Sequence, residues 1–103
     1  MTRLSKPESR ERWRQARDLW NAFDPIGVMP MEDWPRDEYE GYLGPTLRLL
    51  ESGANLSELE QYLKKVTLEH MGLTETPARA AARRQFAETL RLWYEQKWSG
   101  TVV

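Results

Sequence analysis

At the head of three apolar stripes a capping residue stands three positions ahead of a glutamate: Ser5 with Glu8, Asp37 with Glu40, and Asn55 with Glu58. This is the spacing of a capping box. The cap side chain accepts from the third backbone N–H of the helix, and the glutamate reaches back to the N–H of the cap. A sequence punctuated in this way is committed to helices before any composition is counted.

The stripes bear this out. Trp13, Ala16, Trp20 and Phe23 recur at helical spacing and predict a helix over 6–23, with Pro7 tolerated in its first turn. Asp24-Pro25-Ile26-Gly27 ends it, because proline biases its predecessor away from helical geometry and glycine permits a turn. Val28 to Arg36 then reads as a loop broken by Pro30 and Pro35, yet it carries Val28, Met29, Met31 and Trp34. Tyr39, Leu43, Leu47 and Leu50 form the second stripe, from a cap at Asp37 to a stop at Gly53. Pro45 inside it predicts either two short helices or one kinked helix. Leu59, Tyr62, Leu63, Val66 and His70 share the third face, which Gly72 terminates. Thr76 caps the fourth helix, with Pro77 at its first position and Ala82, Phe86, Leu90 and Trp93 along its face, up to Trp98 and a stop at Ser99-Gly100.

No segment alternates with period 2 over a strand length, and no Asn-Gly or Asp-Gly hairpin signal occurs. The expected fold is all-α: a four-helix antiparallel bundle with a long apolar loop between the first two helices, one domain over 1–103. A chain of 103 residues has room for one modest core. No apolar run is long enough for a membrane span, and the first residues lack a hydrophobic leader. Together with the absence of cysteine, this leads to the expectation of a cytoplasmic protein.

The inventory for catalysis is thin. Without cysteine and with one histidine, Cys-His catalysis is excluded, and a Ser-His-Asp set would have to use His70. His70 falls on an apolar helical face, where a packed core histidine is the expectation. There is no Walker loop, dinucleotide fingerprint, zinc motif or EF-hand spacing, so no cofactor or metal is expected and the chain reads as non-enzymatic.

Charge is distributed unevenly beneath a net of −1. Residues 24–40 carry six acidic groups and one basic, and this segment also holds Trp34 and Tyr39, with Tyr42 just beyond. Carboxylates interleaved with aromatic anchors suit a basic protein partner. The candidate partner-binding residues are Trp34, Asp37, Glu38, Tyr39 and Tyr42, although helix capping would by itself account for Asp37 and Glu40. Residues 1–20 carry six basic groups and three acidic ones. Arg3, Lys6, Arg10, Arg14 and Arg17 form a stripe, with Glu8, Glu11 and Asp18 expected on the far side. The alternative function is a small nucleic-acid-binding protein using Arg10, Arg14, Arg17, Arg83 and Arg84, but no helix-turn-helix or interleaved aromatic pattern supports it. Trp13, Trp20 and Trp93 read as core; Trp34 and Trp98 read as half-exposed, and a homodimer through such aromatics is a further expectation.

Read in order, Leu19-Trp20-Asn21-Ala22-Phe23-Asp24-Pro25-Ile26-Gly27-Val28, Asp37-Glu38-Tyr39-Glu40-Gly41-Tyr42, Leu49-Leu50 before Gly53, Tyr62-Leu63 and Met71-Gly72-Leu73 resemble segments of a family of small bacterial all-helical proteins of unknown function. The resemblance spans residues 15–75 and implies a single-domain protein with no assigned catalytic residues. By analogy at the level of fold, it extends to immunity proteins that inhibit bacterial toxins. The expected function is therefore a protein–protein interaction module, with an immunity-type inhibitor as its finer form.

Overall fold

The computed structural model describes residues 2–99 and 101–102, and it is all-helical apart from one short strand pairing. Helix α1 (Lys6–Phe23) starts at a complete Ser5/Glu8 capping box with Pro7 in its first turn. It ends at Asp24, which takes the left-handed conformation at φ 44°. Helix α2 (Glu40–Glu51) runs unbroken through Pro45. Helix α3 (Leu56–Lys65) opens on the Asn55/Glu58 capping box. Helix α4 (Pro77–Lys97) follows the Thr76 cap, whose hydroxyl accepts from the Arg79 amide at 3.1 Å.

Three features differ from the sequence expectations. Asp37 does not cap α2: the helix begins three residues later, with Tyr39 at the cap position and no side chain closing it. The reason lies 23 positions away in the chain, because the Glu40 carboxylate is taken by Arg17 and cannot reach back to Asp37. Second, α3 passes into a π-helical turn over Val66–His70, closed by the Met71 amide on the Val66 carbonyl at 2.9 Å and followed by Gly72 at φ 71°. A π turn holds more residues per turn than an α turn, so the phase of the stripe changes. Val66 and Thr67 stay buried, but His70 is carried to the surface and is not a core residue. Third, Thr2–Arg3 (β1) pairs in parallel with Thr101–Val102 (β2), Thr2 opposite Thr101 and Arg3 opposite Val102. Two residues are too few for any period to reveal.

The core centres on Trp20, which is fully buried. Its ring centroid lies 5.1 Å from Phe86, 5.5 Å from Tyr42, 5.7 Å from Phe23 and 5.8 Å from Tyr39. Aromatic pairs at such separations, edge-on or stacked, add to their burial energy. The stripe Tyr39, Leu43, Leu47, Leu50 is buried as expected, as are Leu59, Leu63 and Val66. On α1 the buried line is Arg12, Ala16 and Trp20, with Trp13 only half-buried beside it. On α4 it is Arg83, Phe86, Ala87, Leu90 and Tyr94; Ala82 is exposed and Trp93 half-buried. Both lines include an arginine, a residue that sequence periodicity assigns to the surface.

Candidate docking surface

The segment between α1 and α2 is a chain of tight turns fastened at both ends. Amide-to-carbonyl bonds three residues apart close it at Gly27 on Asp24, Met31 on Val28, Trp34 on Met31 and Glu40 on Asp37. Asp24 is the first fastening. Its carboxylate accepts from the Val28 amide at 3.0 Å, the Met29 amide at 3.1 Å and the Tyr39 hydroxyl at 2.6 Å. The Tyr39 oxygen in turn accepts from the Ile26 amide at 3.1 Å. Burial, reinforced by Asp24, raises the Tyr39 phenol well above its ordinary value, so it remains a neutral donor.

Glu40 is the second fastening. It accepts from Arg17 Nη2 at 2.9 Å, Arg17 Nε at 3.0 Å and Trp13 Nε1 at 2.6 Å. The Arg17 fork, with help from Trp13, holds the Glu40 carboxyl below its ordinary value and raises Arg17 in return. Asn21 adds a tie to the Arg36 carbonyl at 3.2 Å. Arg36 itself folds back on the Met29 carbonyl.

Between these fastenings the loop turns apolar side chains outward. Met31 is 51% exposed, Ile26 40% and Trp34 38%. Glu32, Asp33 and Asp37 are exposed around them and Glu38 is half-buried, so four acids face one arginine, Arg36. The Trp34 indole donates to Glu38 at 3.0 Å, which fixes its ring against the surface. Of the five sequence candidates, Trp34, Asp37 and Glu38 therefore share this surface. Tyr39 is buried at 1% exposure with its hydroxyl turned inward, so it supports the loop and does not touch a partner. Tyr42 is half-buried and stacked on Trp20. Met31 and Ile26 belong to the exposed set; their position in a loop rich in turn residues was the available signal.

The basic candidates are largely occupied. Arg14 binds Glu11 and Asp18 on its own side of α1, so those acids do not lie on a far face as expected. Arg17 is spent on Glu40. Arg83 is buried and forks onto Glu75, whose carboxyl it holds below its ordinary value; it is not available to phosphates. Arg84 lies 3.7 Å from Glu60 and 3.8 Å from Glu88. Arg10 remains exposed. Trp98 is half-exposed as expected, lies against the edge of the core and donates to Gln15 at 3.0 Å, which also accepts from Trp93 at 2.9 Å.

Among the described residues, no group of three His, Asp or Glu side chains is placed to hold a metal ion. No helix among them is long and apolar enough to cross a membrane. No family model, curated protein or solved structure matches this chain.

Proposed function

We propose that this chain is a non-enzymatic protein–protein interaction module whose acidic, apolar-tipped loop docks a basic protein surface. The observation that carries this reading is the exposure of Met31 and Trp34 among Glu32, Asp33, Asp37 and Glu38 on a segment fastened by Asp24 and Glu40. Exposed apolar side chains supply area to desolvate, the acids steer and orient a cationic partner, and a prefastened loop loses little entropy on binding. In the finer form of the proposal, the chain acts in the cytoplasm as an immunity-type inhibitor, with a basic bacterial toxin as partner.

The test is affinity capture with the whole chain and with an Asp37→Lys/Glu38→Lys variant, read by mass spectrometry. Both substitutions are on the loop surface, so helicity by circular dichroism should match the parent. A partner retained by the parent and lost by the variant is the expected result. Identical recovery on both would defeat the proposal. Recovery of nucleic acid that falls steeply with added salt would favour the basic alternative instead.

A further inference from the structure

A cleft of about 270 Å³ opens between α1 and α2, sharing only Trp13 with the residues that fasten the loop. Its floor is Gly44. A Cβ placed there would lie 3.4 Å from Arg48 Nη1, 3.8 Å from Cη2 of Trp13 and 3.9 Å from Arg48 Nη2. Gly44 sits inside a helix, where glycine is unfavourable, and its backbone is not left-handed. What glycine provides at this position is room beneath a guanidinium and an indole.

The chemistry of the walls is specific. Trp13 has its Nε1 engaged by Glu40, so the outer edge of its six-membered ring faces the cleft and joins Leu47 as an apolar wall. Arg48 is exposed and forms neither an ion pair nor a side-chain hydrogen bond among the described residues. Arg12 lines the cleft fully buried. One of its nitrogens binds Glu51, while Nε and Nη1 are buried without a partner among the described residues. Glu51 is the single acid on the lining among the described residues, and Arg12 offsets it. The charge left uncancelled is that of Arg48.

We propose that this cleft binds a small organic oxyanion, a carboxylate or phosphomonoester bearing a compact apolar group. The anion sits on Arg48, and the apolar group lies over Gly44 against Trp13 and Leu47. Glu51, three residues beyond Arg48 on α2, is held by Arg12, so Arg48 is the group to which the anion is drawn. The volume lies just below the range typical of drug-sized pockets, which limits the apolar group to one ring or a short acyl chain.

Titration of the whole chain with benzoate and with phenyl phosphate, followed by calorimetry and by the indole N–H resonance of Trp13, tests this directly. The expected result is saturable binding of at least one of them that shifts that resonance; which one binds distinguishes carboxylate from phosphate. Arg48→Gln replaces an exposed side chain that makes no ion pair or side-chain hydrogen bond among the described residues, so the fold persists, and affinity should fall about tenfold or more. Gly44→Ala improves helix propensity and should also weaken binding by filling the floor. Inorganic phosphate should bind more weakly than phenyl phosphate. The assignment is overturned by absence of saturable binding, by an affinity that Arg48→Gln or Gly44→Ala leaves unchanged, or by inorganic phosphate binding as tightly as the aryl ester.

Discussion

The Tyr39 phenol donates a 2.6 Å hydrogen bond to the Asp24 carboxylate, joining the two ends of the loop that displays Met31 and Trp34. Hydrogen bonds to a charged acceptor contribute about 1.5–3 kcal/mol when partly buried. Tyr39→Phe keeps the ring against Trp20 and removes only this bond and the one from the Ile26 amide. Denaturant unfolding should show a loss in that range, and amide exchange over residues 25–36 should accelerate. A variant as stable as the parent, with unchanged exchange, would mean that the clasp contributes nothing.

The Arg17–Glu40 fork predicts a pH dependence with a definite sign. The folded Glu40 carboxyl lies below its ordinary value of 4.5, so the unfolded chain holds the proton more readily. The contribution is complete above pH 4.5 and is lost as the pH falls through the lower folded value. Glu75, lowered by Arg83, acts in the same direction. Both Arg17 and Glu40 are about a third exposed, so screening limits the pair to about 0.5–1 kcal/mol. Glu40→Gln should therefore be less stable than the parent at neutral pH by that amount, and the difference should close under acid. Equal differences at pH 7 and pH 3 would assign the effect to something other than the carboxylate charge.

What could be read from the sequence was the part governed by near neighbours. The Ser5 and Asn55 capping boxes, the Gly72 stop and the Thr76-Pro77 start each depend on residues within a few positions, and each forms. The Asp37 cap has the same spacing and fails because Arg17 competes for Glu40 from another helix. Tyr39 belongs both to an apolar stripe and to an acidic aromatic segment; its place at the start of the Leu43, Leu47, Leu50 line decides for burial. His70 departs from the expected core face because periodicity assumes an α turn where a π turn forms. Arg12 lies four residues before Ala16 and eight before Trp20, on their buried line. Nothing short of the tertiary position of Glu51 marks it as internal.

That internal pair is asymmetric: the Arg12 side chain is 1% exposed and the Glu51 side chain 23%. Removing the more exposed partner should therefore do the greater damage. Glu51→Ala leaves a fully buried guanidinium with no carboxylate and should cost about 3–5 kcal/mol. Arg12→Met fills similar volume with apolar atoms, leaves an acid that can turn to solvent, and should fall within about 1.5 kcal/mol of the parent. Arg12 also lies over the Tyr94 ring, 5.9 Å from its centroid, a contact that methionine keeps in part through its sulfur. Thermal melts of the two variants check the order. Arg12→Met melting below Glu51→Ala would show that the arginine acts mainly through packing.

At the centre of the core, Trp20 donates through Nε1 to Thr46 Oγ1 at 3.1 Å, and the Thr46 hydroxyl donates in turn to the Tyr42 carbonyl at 2.7 Å. Both side chains are fully buried, so water cannot substitute for either partner. Thr46→Val preserves shape but orphans the indole N–H, which should cost about 1–3 kcal/mol. Trp20→Phe removes the donor and leaves a cavity, and should cost more than Thr46→Val. In the double variant the orphan created by valine no longer exists. The loss should therefore fall short of the sum of the two single losses by about 1 kcal/mol or more, a coupling that a double-mutant cycle in urea reads directly. Strict additivity would show that the two residues contribute through volume alone, and that the ring cluster around Trp20 is positioned without this hydrogen bond.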